Sequence, residues 1–248
     1  MNKYSSQHEP PYILESINII SEYSKENDSK KLYEIMSNKG IFGQKTENSK
    51  KKLYSIVRSI YLKEPTAEFI SLLSNENVSF ENKKMMLYYH RLYSRPFIND
   101  FMSDFVFKAY IKGQKLISKP DVISYLENKV QDHPEIRSWS QSNVSAFSSN
   151  ILGLLRAFGF LDRDNKILRP NYSDEFILYV LHDLYNNKKV KKSKIVDAPV
   201  FKSLLINNSQ IIRFLEKMGK NQKIVVEINE NKISKLKLNS EILKIHNM

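Results

Sequence analysis

The chain contains no cysteine among its 248 residues. Disulfide staples and thiolate metal sites are therefore excluded, as suits a reducing compartment. Glycine and proline are scarce, at six and eight residues, and there is a single tryptophan. So few turn-forming residues disfavour an architecture of many short strands and favour long helices. No run approaches the roughly 18 uncharged apolar residues of a membrane span. The most apolar stretch, 151–161, is too short and carries Arg156. Residues 1–6 lack the apolar segment of a secretory signal. The expectation is a soluble, cytoplasmic protein. There is no phosphate-cradling glycine loop and no nucleophile-elbow serine. His8, His90, His133, His182 and His246 are scattered without metal-ligand spacing. No catalytic residue, metal or cofactor is expected.

What the chain does have is a 41% hydrophobic content and a formal net charge of +12. The first is enough for a buried core, and the second favours an anionic partner. The basic excess is mostly lysine, in a chain also rich in Asn, Ile and Ser. An AT-rich genome would supply part of that bias by itself.

Helical periodicity runs nearly throughout. Pro10 and Pro11 open a first helix carrying Ile13, Leu14, Ile17, Ile20 and Tyr23. Further helices follow, with Leu32, Ile35 and Met36, with Leu53, Ile56, Val57 and Ile60, and with Phe69, Leu72 and Leu73. A turn at 41–43 holds Phe42 as a buried anchor. The stretch 80–93 repeats the pattern and Pro96 breaks it. Phe97, Phe101, Phe105 and Tyr110 recur at helical steps, a stripe expected in the core. A helix over 120–130 and a loop at His133-Pro134 lead to Trp139.

The segment 140–170 points most directly at a ligand. Val144, Phe147, Ile151, Leu154, Leu155 and Phe158 share one helix face, while Ser142, Ser145, Ser149, Gly153 and Arg156 share the other. Ser140 is the expected N-cap and Gly159 the expected left-handed stop. Phe160-Leu161 and Ile167-Leu168 then bracket a polar turn, as in a hairpin. Helix, helix, hairpin is the order of a winged helix-turn-helix, which lays a helix in a DNA groove. Ser140, Gln141, Ser142, Asn143, Ser145 and Ser149 offer short neutral groups to sugar-phosphate or base edges. Arg156, Arg163, Lys166 and Arg169 would neutralise phosphates, and three of the chain's eight arginines fall here. Lys188, Lys189, Lys191 and Lys192 form a further basic loop and join the DNA-binding set. The competing reading of the module is a winged helix used only for protein contacts.

A capped helix begins at Ser173, with Asp174 and Glu175 at its positive end. Beyond 188, short helices at 199–205 and 210–218 stop at Gly219. Period-two stretches around Asn229, Glu230 and Asn231 suggest a second, smaller wing bearing Lys223, Lys232, Lys235 and Lys237. Glu230-Asn231-Lys232 matches a nuclease tail only superficially, without an acidic partner on a preceding strand.

The sequence reading is thus an all-α protein with short β-hairpins. It divides into a helical bundle over 1–95, a winged-helix-like module over 96–187 and a basic extension over 188–248. The Phe-rich helix, the Trp139-Ser140 entry and the block Ile151-Leu152-Gly153-Leu154-Leu155-Arg156-Ala157-Phe158-Gly159-Phe160-Leu161 resemble the BrxA family over residues 10–185. That family belongs to BREX bacteriophage-defence systems. The resemblance implies a non-catalytic accessory protein that binds double-stranded DNA, working beside a methyltransferase and an ATPase and without membrane insertion. It carries over no site residue. A winged-helix transcriptional regulator, or an interaction adaptor without DNA affinity, is the alternative.

Overall fold

The computed structural model describes residues 4–5, 9–26, 28–229 and 232–238. Helices dominate it. In chain order α1 spans Ile13–Tyr23, α2 Ser29–Asn38, α3 Glu47–Tyr61, α4 Ala67–Ser74 and α5 Phe80–Ser94. Their starts are set by short polar side chains. Thr46, Thr66 and Ser79 each accept from the amide three residues on, satisfying a donor the helix cannot pair itself. The start of α1 differs, because Tyr12 adopts a left-handed conformation after the two prolines and makes no side-chain cap.

Helix α5 is the hub of the molecule. It packs on α1, α3, α4 and on elements from the C-terminal half. Tyr88 and Tyr89 are fully buried along it. Its end is dictated by Pro96, since the residue before a proline avoids helical angles and Arg95 sits extended at φ −133° and ψ 83°.

The chain restarts at α6, Pro96–Asp100, continues through a π-helical segment, Phe101–Val106, and ends with α7, Phe107–Ile111. Phe97, Phe101 and Phe105 stack successively, with centroids 5.7 and 5.3 Å apart. All three also meet the edge of Tyr125. Phe97 and Phe101 are core, as the spacing predicts, and Phe105 and Tyr110 pack half-buried against it. Helix α8, Lys119–Lys129, follows, with a reciprocal cap between Ser118 and Asp121. Then come α9, Gln141–Ala157, and α10, Asp174–His182.

Past α10, short helical turns carry the basic stretch into α11, Val200–Ser203, and α12, Asn208–Lys220. Ile195 and Val196 are buried there. Strands β1, Ile224–Asn229, and β2, Lys232–Leu238, pair antiparallel. Glu230 and Asn231, between them, lie outside the described residues, and so do the side chains of Lys192 and Lys232. The pair docks on α12, with Ile224, Ile233 and Leu236 buried. One expectation fails. Gly219 does not stop α12, which continues to Lys220. It is instead a place of close approach, where a Cβ would lie 2.9 Å from Val226 Cγ1. The buried apolar side chains form one contiguous cluster across the bundle, the α6–α9 region and the C-terminal elements.

Candidate nucleic-acid interface

Helix α9 is built as its sequence predicts. Ser140 Oγ accepts from the Asn143 amide at 3.2 Å. The C-terminus closes on Gly159 at φ +84°, with the Phe160 amide bonded to Leu155 O and the Gly159 amide to Arg156 O. This pair of bonds requires the left-handed residue that glycine supplies without strain. Phe147, Ile151, Leu154, Leu155 and Phe158 are buried. Phe147 is held between the rings of Phe97 and Trp139, at 4.8 and 5.1 Å. Phe158 and Phe160 rest on Tyr88, which locks the end of α9 to the bundle hub.

The opposite face is open. Ser140, Gln141, Ser142, Asn143, Ser149 and Arg156 are exposed and Ser145 is half-buried. Four hydroxyls are less free than the helix wheel suggests, and Ser140 Oγ and Ser142 Oγ lie 2.9 Å apart in a hydrogen bond with each other. Ser145 Oγ accepts from Lys119 Nζ at 2.7 Å, and Ser149 Oγ donates to the Ser145 carbonyl at 3.1 Å. Such bonding back onto the helix is common for serine, and Ser149 must turn outward to meet an external acceptor. The contact with Lys119 brings a cation onto this face that sequence spacing did not place there. It spans 26 residues and joins two helices.

The hairpin beyond α9 is short. Leu161 and Ile167 form a bridge, and Asp162 organises the turn by accepting from the amides of Asp164 and Lys166 at 2.9 and 2.8 Å. An extended segment unseen in the sequence pattern is bridged to it. Leu116 bridges Lys166, the Ile117 amide donates to Asn165 O at 3.0 Å, and the Ile167 amide donates to Lys115 O at 2.8 Å. Arg156 donates to the Asn165 side chain, so the end of α9 is tied to the turn.

Arg163, Lys166 and Arg169 are exposed around this turn. Lys166 stands 3.8 Å from Asp164, while among the described residues neither Arg163 nor Arg169 is in an ion pair. The acidic groups nearby include Asp162 and Asp164 at the turn, Asp121 at the start of α8, and Glu127, which lines a groove with Gln141 and Ser142. Lys188, Lys189 and Lys191 are also exposed, and the Lys188 ammonium lies 4.3 Å from the Tyr93 ring centroid. Among the described residues no cluster of three or more His, Asp or Glu is placed to hold a metal ion. No described helix is long and apolar enough to cross a membrane.

Comparison with known proteins agrees with this architecture. A crystal structure of an uncharacterized protein from Magnetospirillum magneticum superposes with a TM-score of 0.65 at 12% identity, covering 82% of this chain and 98% of that one. At that identity the likeness concerns the fold. No curated protein matches the chain. The family model described as BrxA matches residues 3–182. That match spans the bundle, the open face of α9 and its hairpin, and the chain belongs to the BrxA family, and with it to the components of BREX phage-defence systems.

Proposed function

We propose that this BREX-associated protein is a non-catalytic double-stranded-DNA-binding component, docking α9 and the 161–167 hairpin on the duplex chiefly through phosphate contacts. The observation that carries the reading is the tie between the exposed polar side of α9 and the basic turn. Arg156, at the end of α9, bonds Asn165 in the turn whose neighbours Arg163, Lys166 and Arg169 are exposed, and Lys119 joins the helix through Ser145. The order of helix, bridged extended segment at 115–117, α8, α9 and bridged turn supports a winged-helix reading. In this reading the amides of Gln141 and Ser142 at the start of α9 face a phosphate, where the helix dipole favours negative charge. Gln141 and Asn143 reach sugar or base edges, and Arg163, Lys166 and Arg169 follow the adjoining backbone. Lys188, Lys189 and Lys191 are proposed as additional phosphate contacts. The methyltransferase and ATPase of such a system are the proposed protein partners, and the cytoplasm the proposed location.

Fluorescence anisotropy with a labelled random-sequence duplex tests this. Affinity should fall steeply as salt rises, because bound phosphates release counterions, and should survive scrambling of the sequence. Affinity confined to one sequence with paired half-sites would favour a transcriptional regulator instead. No salt-sensitive affinity at any ionic strength would favour an adaptor that binds only protein.

A further inference from the structure

A cavity of about 380 Å³ opens between Tyr4, Ser5 and Glu9, α3, α5, α6 and the inner flank of α9. That volume falls within the range of about 300–1,000 Å³ common to small-ligand pockets. Its walls are chemically divided. Phe97, Phe147, Ile151 and Leu154 make one side apolar, and Ser55 and Asn150 stand at the polar side with Arg91 and Arg95.

The arginines are not equivalent. Arg95 holds both oxygens of the Glu9 carboxylate and also donates to Ser59 Oγ at 2.9 Å. Arg91 is only 1% exposed, and its partners are all neutral. It donates to the carbonyls of Glu9, Pro10 and Pro11 at 3.3, 3.2 and 3.4 Å and to Tyr61 OH at 3.3 Å. These bonds are longer than the about 2.7–2.9 Å expected where a guanidinium meets an anion. Among the described residues no carboxylate pairs with Arg91, since Glu9 is taken by Arg95. Among the described residues the lining therefore holds two guanidiniums against one carboxylate. A buried cation with only neutral partners is costly, and a planar fork of N–H groups matches a carboxylate or phosphate.

We infer that this cavity is a binding site for a small organic anion with a ring-sized apolar body, its head at Arg91 and its body against Phe97, Phe147 and Leu154. Two sources share that chemistry, a nucleoside monophosphate and an aromatic carboxylate. The site is separate from the proposed DNA surface and does not depend on it.

Thermal unfolding of the full chain tests the inference, with AMP and 4-hydroxyphenylacetate as probes and adenosine and inorganic phosphate as controls. At about a hundredfold excess over Kd, an occupied site should raise Tm by about 5 °C or more. The expected result is a rise with AMP or with 4-hydroxyphenylacetate, whichever is the source, but not with adenosine or phosphate alone. Ser55→Phe fills the mouth from an exposed position and should abolish the rise without lowering the unliganded Tm. Arg91→Gln should weaken binding at least tenfold. If that variant does not fold, Ser55→Phe decides. The Arg163, Lys166 and Arg169 triple alanine variant should keep the response, which separates this site from DNA binding. The inference is overturned if neither anion shifts Tm, if adenosine matches AMP, if Ser55→Phe responds like the parent, or if the triple variant loses the response.

Discussion

The basic side chains at the single-bridge turn 161–167 and those at the β1–β2 hairpin have different fates. In the 161–167 hairpin Arg163, and just beyond it Arg169, stand exposed without ion pairs among the described residues, and Lys166 has only a loose contact with Asp164. In the β1–β2 hairpin, Lys235 pairs with Glu227 at 2.7 Å. Lys223 is drawn to Asp174 and Glu175 at 3.5 and 3.0 Å. Lys217 adds a 2.9 Å contact to Asp174 from α12. The acidic start of α10 thus does more than favour the helix dipole: it binds the C-terminal elements. A count of lysines measures charge, but only packing shows which charge is left for a partner.

The sharpest way to break the first hairpin is to remove the floor beneath α9. Phe147→Ala leaves a cavity between Phe97 and Trp139 and should cost about 3–5 kcal/mol. Chemical denaturation followed by circular dichroism would measure it. A cost near zero would mean that α9 is not clamped as described. The second hairpin offers no comparable single target, since its core side chains are smaller.

Next comes charge itself. Alanine at Arg163, Lys166 and Arg169 together should flatten the log–log salt dependence of DNA affinity by about 2.7, at about 0.9 per phosphate contact. Alanine at Lys223, Lys235 and Lys237 should leave that slope nearly unchanged, because Lys223 and Lys235 already face carboxylates. Equal losses from the two triple variants would erase the distinction between the hairpins.

Acid should act on the second hairpin in preference to the first. Burial works against the charge of Glu175, yet bonds from Lys223, its own amide and Ser173 hold its carboxyl below the usual 4.5. A carboxyl depressed in the folded state contributes stability above its unfolded pKa, and that contribution fades as pH falls through the folded value. Amide exchange in β1 and α12 should therefore quicken below about pH 4.5, and Glu175→Gln should remove that step. Part of the site is exposed, so solvent screening keeps the effect to about 1 kcal/mol or less.

What could be read from the sequence was local. The Ser140 and Ser173 caps, the Gly159 stop and the Phe97–Phe101–Phe105 stripe each depend on residues a few positions apart. The open face of α9 followed from 3.6-residue spacing alone. The features that complete the candidate sites are long-range. The extended segment at 115–117 is bridged to a turn some 50 residues away, and Lys119 reaches Ser145 across two helices. Tyr4 shows the same limit: its amide bonds Glu135 at 2.6 Å and its hydroxyl Asp100 at 2.7 Å. No periodicity announces such contacts, nor the neutral cage around Arg91. The two acidic residues of α10 were legible as a helix start but not as partners of Lys217 and Lys223.

Gly219 gives the finest test, because two opposed terms of similar size meet there. A glycine after an apolar helical pattern has the signature of a stop, yet this one lies inside α12. Glycine to alanine favours a helix by up to about 1 kcal/mol in its interior, and by less at Gly219, the last residue but one of α12. Here the new Cβ would meet Val226 Cγ1 at 2.9 Å, and overpacking of that kind costs about 1–3 kcal/mol. Gly219→Ala should therefore be mildly destabilising, and the loss should appear as faster amide exchange in β1. Pairing it with Val226→Ala removes the clash and leaves the helix term. The double variant should then be more stable than Val226→Ala alone by up to about 1 kcal/mol. If Gly219→Ala alone already stabilises the chain, the second hairpin does not press on α12 as closely as the 2.9 Å approach requires.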